Sequence, residues 1–278
     1  MKSVILKNGV AVPQVGFGTY KAAEGGKGAI LDAIECGYRH FDTASSYQNE
    51  SLLGEAIRDS GIDRKEFFIA SKLSKKCLGY ESAIAEFESS LERLGMDYLD
   101  LYLIHWPRPC FNDDYRDIDR ETWRAFEELY GRNLVRAIGV SNFLVPHLES
   151  LFATADIMPH VNQLELHPGY LQKETADYCR RIGIELEAWS PMGRGRLNDN
   201  PVLSSIARSH GISVSHLCLV FLSMEGYIVL PKSTHRDRME ENMKLDDAIL
   251  SDEERRIIRE MPEDGWSGEH PDRERVYF

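Results

Sequence analysis

The sequence predicts a (β/α)8 TIM barrel with an N-terminal β-hairpin and two extra helices, and three observations carry that prediction. Apolar strand-like runs alternate with helical patterns eight times along the chain. The runs are continuously apolar, as strands buried on both faces are. Eight such units in about 250 residues is the length this barrel takes as one domain.

The elements follow in order. VILKNG and VAVP are two short β-like runs around Asn8-Gly9, a strong hairpin signal, and predict a plug over the barrel bottom. QVGFGTY is followed by a helical pattern over 27–36, RHFDTA by 50–59, FFIASKL by 80–95 and LDLYLIHW by 120–131. VRAIGVSN then pairs with 145–153, HVNQLEL with 172–182, IELEAWSP with 200–209 and YIVLPKS with 236–243. Helical periodicity over 214–224 and 251–261 supplies the two additional helices. Residues 107–119 are polar, proline-containing and long for a βα connection, the kind of loop that lines the top of a barrel. No linker or low-complexity stretch interrupts the pattern, so 1–278 reads as a single domain.

Composition narrows the function. With 42% hydrophobic and 28% charged residues the chain reads as a soluble globular protein. A net charge of −12 argues against nucleic acid as the partner, because that binding rests on Lys and Arg neutralising phosphates. The N-terminus has only a three-residue apolar run before Lys7, too short for a signal peptide, and no stretch is long enough to span a membrane. Five scattered cysteines without a C-x-x-C pair fit neither a disulfide framework nor a zinc site. A cytoplasmic monomer without a metal is the expectation.

A polar residue at the C-terminal end of a barrel strand is placed for chemistry. The strand ends offer Thr19, Asp42, Lys72, His105, Ser141 with Asn142, Gln163 with Glu165 and His167, Ser190, and Lys232 with Ser233. Tyr47 follows Asp42 by five residues. A phenol with a pKa near 10 is a poor acid at neutral pH, and a nearby ammonium lowers it by favouring the phenolate. Lys72 can supply that charge, Asp42 can hold the lysine protonated, and His105 can orient a substrate oxygen beside Tyr47. Together they would protonate a carbonyl oxygen as negative charge develops on it. Each residue alone has a plainer reading: a solvated charge for Asp42 or Lys72, core packing for Tyr47 or His105. Their conjunction at three strand ends favours chemistry.

The segments GYRHFDTASSYQNE, IASKL, LGMDYLDLYLIHWP, AIGVSNF, NQLELHP, EAWSPMGRG and LPKSTHRDRMEEN resemble, in order and across nearly the whole chain, those of the aldo-keto reductases. That resemblance implies an NADPH-dependent oxidoreductase that reduces aldehydes and ketones, with Asp42, Tyr47, Lys72 and His105 as the catalytic tetrad and Tyr47 as the general acid. It implies a cofactor site in which Ser141, Asn142 and Gln163 hold the nicotinamide carboxamide and Trp189 stacks on the ring. Gly18, Thr19 and Asp42 would also contact the cofactor, and Ser190, Met192 and Gly193 would line the pyrophosphate. Lys232, Ser233, Thr234 and Arg238 would meet a 2′-phosphate, with Glu241 and Asn242 near the adenine. Read without the resemblance, SPMGRG is an ordinary turn and RDRMEEN a solvated helix start. The basic cluster Lys232, His235, Arg236 and Arg238 in an acidic protein favours an anion site and hence NADP(H) over NAD(H).

Three departures from the family pattern bear on specificity. Trp189 stands where the family more often has Tyr, LSKKCLGYE replaces a Trp-Asn after the Lys72 strand, and the C-terminal tail is short. Tyr20, Tyr47, His105, Trp106, Phe111 and Trp189 suggest an aromatic pocket for a small carbonyl compound. Lys75, Lys76, Arg273 and Arg275 would favour acidic or hydroxylated substrates if they fold over the mouth. Two rival readings stay open: a Schiff-base aldolase with Lys72 as nucleophile, and a non-catalytic barrel that keeps the cofactor.

Overall fold

The computed structural model describes residues 2–22, 24–108, 115–246 and 248–273. A short antiparallel hairpin, β1 (Ser3–Ile5) with β2 (Ala11–Pro13), precedes eight parallel strands. These are β3 (Phe17–Gly18), β4 (His40–Asp42), β5 (Phe68–Leu73), β6 (Leu99–Ile104), β7 (Val135–Ser141), β8 (Val161–Glu165), β9 (Glu185–Trp189) and β10 (Ile228–Leu230), side by side in chain order. The sheet closes on itself where Val15 bridges Val229: Gly16 N donates to the Val229 carbonyl and Val229 N to the Gln14 carbonyl, both at 2.9 Å. The TIM barrel expected from the sequence is present.

The helices are α1 (Gly28–Glu35), α2 (Glu50–Asp59), α3 (Tyr80–Leu94), α4 (Tyr115–Gly131), α5 (Val145–Phe152), α6 (Lys173–Ile182), α7 (Pro201–Ser209), α8 (Val214–Met224), α9 (Arg236–Asn242) and α10 (Asp252–Arg259). Their starts are set by local chemistry. Asn200 accepts from Val202 N and Leu203 N with Pro201 at the first helical position of α7, and Ser251 and Glu254 form a reciprocal capping box on α10.

Two assignments differ from the sequence reading. Helix α4 starts at Tyr115, five residues before the expected 120, because Asp119 turns inward and accepts from Arg108 N instead of facing water. The segment 214–224, expected to be an extra helix, packs on β10 and α9, with His216 to Leu222 all buried. It is the helix of the seventh unit, and α7 packs outside it against α8 and α10. An apolar helix buried all round has no amphipathic stripe to mark its place.

The barrel interior changes character from bottom to top. Parallel register sets Asp42 opposite Ala70, Lys72 opposite Leu103, Ser141 opposite Gln163, and Gln163 opposite Glu187. Side chains two apart share a face, so each interior column can be read upward. Ala70 gives way to Lys72, Leu103 to His105 and Val161 to Gln163, while on β9 Glu187 lies level with Gln163 and Trp189 stands above it. The apolar lower layer includes Phe68, Ala70, Leu101, Leu103, Ala137, Val161 and Ile228. The hairpin covers it with Leu6 and Val12, both buried in the same cluster, each worth about 1.5–3 kcal/mol of burial.

Outside the sheet, α2 and α3 meet at Gly54. A Cβ there would lie 1.9 Å from the Leu94 carbonyl oxygen. The obstacle is backbone, which cannot swing away, so Gly54→Ala should cost at least about 2 kcal/mol of stability. Urea unfolding with a midpoint equal to that of the parent protein would contradict this close approach.

Candidate active site

At the top of the barrel, Lys72 Nζ donates to both oxygens of Asp42, at 2.6 and 2.7 Å, and to the Thr43 carbonyl at 3.0 Å. The Lys72 side chain is wholly buried and Asp42 nearly so. Tyr47 stands on a short 3-10 turn, Ser45–Tyr47, directly after β4. Its ring centroid lies 5.1 Å from Lys72 Nζ, 5.6 Å from the His105 ring and 5.0 Å from the Tyr20 ring. The four residues expected to act together are therefore brought together.

Three pKa shifts define their states. Burial pushes the Tyr47 phenol up, and Lys72 pulls it down by charge and by a hydrogen bond; burial prevails, so the phenol lies above its ordinary 10.0. This corrects the expectation that the ammonium would lower it outright, and it leaves Tyr47 protonated at neutral pH. Burial lowers Lys72, but Asp42, Tyr47 and Glu187 more than offset it, and the amine stays charged. Burial, reinforced by Lys72, holds His105 well below 6.5, so its imidazole is neutral.

A second tier surrounds this group. Gln163 Nε2 donates to Asp42 Oδ2 and to Glu187 Oε2, both at 2.9 Å. Ser141 Oγ donates to the Gln163 carbonyl, and Asn142 Nδ2 to the His105 carbonyl and Ser141 Oγ. Trp189 Nε1 donates to Asn142 Oδ1 at 2.9 Å. Asn142 and Ser190 hold left-handed backbone, with φ of 63° and 50°, a conformation that costs a non-glycine residue and persists where surroundings fix it. Thr19 donates to the Asp42 carbonyl and Gly18 pairs with Asp42 in register. Beyond Trp189, Met192 is half-buried and Gly193 buried, opening the turn Gly193–Gly195.

The outer end of the expected cofactor site is less concentrated. Lys232, Thr234 and Arg238 are exposed, and Ser233 is buried and binds the His235 backbone. Arg236 is committed to Glu35 and Glu240, whereas Lys232 and Arg238 have no ion-pair partner among the described residues. Glu241 accepts from Ser213 Oγ, and Asn242 is buried beside Tyr38. Of the residues expected to line a substrate pocket, Trp106 lies against His105 and Tyr20 is half exposed. Lys75 and Lys76 are exposed, and the Arg273 guanidinium lies 5.8 Å from the Trp266 ring. Phe111 and Arg275 lie outside the described residues.

Sequence reading missed two participants, Glu187 and Arg194, and gave no role to the strand-end Glu165. Glu187 is fully buried, and burial and then Asp42 push it up to about 7. Its signal was parity, since it sits two residues before Trp189 on the same strand. Arg194, in left-handed backbone, reaches Ser190 Oγ and Glu269 and lies 5.5 Å from the Trp189 ring. Glu165 accepts from Ser267 N and Oγ, so this strand end fastens the tail.

The chain belongs to the aldo/keto reductase family, whose model matches residues 15–263, and by that membership is an oxidoreductase acting on carbonyls. It is 47% identical over 272 residues to a glyoxal reductase of Bacillus subtilis, covering 97% of this chain and 96% of that protein. An aldo/keto reductase crystal structure from Brucella melitensis superposes with a TM-score of 0.87 at 41% identity, covering 92% and 98% of the two chains. A Bombyx mori aldo-keto reductase solved in complex with NADP superposes with a TM-score of 0.85 at 32% identity, covering 99% and 95%.

The family uses nicotinamide cofactors, and the residues present fit one. Trp189 is a half-buried aromatic surface beside polar groups able to meet a planar carboxamide, and beyond β10 lie Lys232 and Arg238, two cations with no ion-pair partner among the described residues.

The Lys72–Asp42 pair generates a prediction. Breaking a buried pair by removing one partner leaves a stranded charge, so Lys72→Met should lower stability by about 3–5 kcal/mol. Adding Asp42→Asn should recover part of that loss. Urea denaturation of both variants checks it, and an undiminished midpoint for Lys72→Met would refute the coupling.

Proposed function

We propose that this protein reduces small aldehydes and α-dicarbonyl compounds to alcohols with NADPH, using Tyr47 as the proton donor. The observation that carries the reading is a fully buried, charged Lys72 paired to Asp42 and set 5.1 Å from the Tyr47 ring. The bound dihydronicotinamide supplies the hydride. Tyr47 holds the proton delivered to the carbonyl oxygen, and its raised pKa keeps that proton in place until charge develops. Lys72 then stabilises the phenolate left behind, and neutral His105 orients the substrate oxygen without competing as an acid.

The 47% identity to a glyoxal reductase supports the choice of α-dicarbonyls, and the aromatic surroundings of Tyr20, Trp106 and Trp189 suit a compact electrophile. Preference for NADPH rests on Lys232 and Arg238, exposed cations with no ion-pair partner among the described residues. The Schiff-base alternative needs a neutral, free amine, and Lys72 is charged and triply engaged. We further place the protein as a single-domain cytoplasmic monomer, in keeping with its composition.

An NADPH-oxidation screen over aldehydes, α-dicarbonyls, keto sugars and keto acids, run beside NADH, tests the activity. Small dicarbonyls should be turned over fastest, and Tyr47→Phe should lower that rate by roughly two to four powers of ten with cofactor affinity unchanged. Near-parental turnover in Tyr47→Phe would exclude it as the acid. Arg238→Ala should weaken NADPH binding by about tenfold to a hundredfold and leave NADH nearly untouched. Equal weakening of both would show that Arg238 does not read the phosphate.

A further inference from the structure

One layer below Asp42, two buried polar atoms face each other with no partner of their own. His40 on β4 and Glu187 on β9 have no solvent exposure. His40 Nδ1 lies 3.1 Å from the Pro13 carbonyl of the hairpin. A carbonyl only accepts, so Nδ1 carries the hydrogen, and Nε2 of the neutral ring is a bare lone pair. Glu187 Oε2 accepts from Gln163 Nε2, which leaves Oε1. His40 Nε2 and Glu187 Oε1 are both unpaired and stand 3.8 Å apart. With no hydrogen between them, two acceptors would confront each other where water has no access, which is costly. One hydrogen answers both atoms, and a side-chain shift of about 1 Å brings them to hydrogen-bond length.

We propose that Glu187 is held as a neutral acid with its proton directed at His40, beneath the Lys72–Asp42 ion pair, and that loss of this proton weakens Tyr47 as the proton donor. The second half rests on the function proposed above. The proton belongs on Oε1, because an imidazolium beside a carboxylate would set two charges out of reach of water. Burial acts on both groups in that sense, holding His40 down to about 4 and, with Asp42, pushing Glu187 up to about 7. Few charged groups surround the pair. Asp42 on β4 and Lys72 on β5 bear on both members, and Asp100 bears on His40 from β6, where Arg64 and Arg136 answer it. Glu187 has the neutral Gln163 and the apolar Ile228 as register partners on β8 and β10. Phe68, Pro13 and Gly16 close on the His40 ring, and none of them titrates. With the proton in place, Lys72 stands against Asp42 and the interior charge sums to zero. Without it, two carboxylates face one ammonium, and the added negative charge makes a Tyr47 phenolate harder to form. Glu187 thus acts through Lys72, as a positioning residue.

NMR of nitrogen-labelled imidazoles in the parent protein places the proton. At a pH between those two values, His40 should show Nδ1 protonated and Nε2 bare but hydrogen-bonded. A protonated Nε2, or one free of any hydrogen bond, would overturn the proposal. Glu187→Gln mimics the acid, since its oxygen can accept from Gln163 and its NH2 can donate to His40. Glu187 releases its proton near 4.5 in the unfolded chain and near 7 in the folded one, so the stability that proton contributes is full below 4.5 and lost as pH rises through about 7. The parental urea midpoint should therefore fall relative to that of Glu187→Gln across this window and level off above it; midpoints that run parallel would contradict the raised acid. Single-turnover oxidation of bound NADPH by glyoxal reads the second half. The parental rate should drop about threefold or more as pH rises through this point, and Glu187→Gln should lack the step. The same step in both proteins would sever Glu187 from Tyr47. A parent that never oxidises NADPH would remove the proposed function and this second half with it, while the NMR and urea readings still decide the buried proton.

Discussion

A lysine ammonium with no access to water is tolerable only where its charge is answered on the spot, and the upper half of this barrel is arranged around that requirement. Asp42 answers Lys72 with both oxygens, and Thr43 and Gln163 complete the shell. Such a pair gains little net stability over an apolar pair of the same volume. Its effect is on the neighbours: a fixed positive charge beside Tyr47 works against the burial that raises the phenol, and the same charge keeps His105 from taking a proton. One buried cation thus bears on the ionisation of both rings.

The depth at which this happens follows from the columns of side chains inside the barrel. Alternation along each strand and register between strands make the lower interior apolar and the upper interior polar. That gradient was legible in the sequence, because RHFDTA, FFIASKL and DLYLIHW each end an apolar run with a functional group. The helices were legible through the periodicity of their apolar residues. Helix α8 was seen but misplaced, since a helix apolar on every side gives no indication of which face meets the sheet. The start of α4 was obscured because a buried Asp119 looks, in a string of letters, like any solvated acid.

The site itself was legible where one residue type has one use, and illegible where a role depends on what lies across the barrel. Tyr47 and Lys72 could be paired from strand ends alone, but the net direction of the phenol's pKa depends on how much water the fold removes. Glu187 sat in plain view in IELEAWSP, yet only the pairing of β8 with β9 brings it to Gln163. Arg194 and the tail were hidden by distance along the chain. Residues 266–272 are drawn over the top by Ser267 on Glu165, Glu269 on Arg194 and Asp272 on Arg108 and His147.

The hairpin of β1 and β2 carries a consequence for access. With Leu6 and Val12 stoppering the lower end against a close-packed apolar layer, the barrel is a vessel with one neck. Whatever enters the polar upper interior has therefore to come and go by the end at which the strands finish.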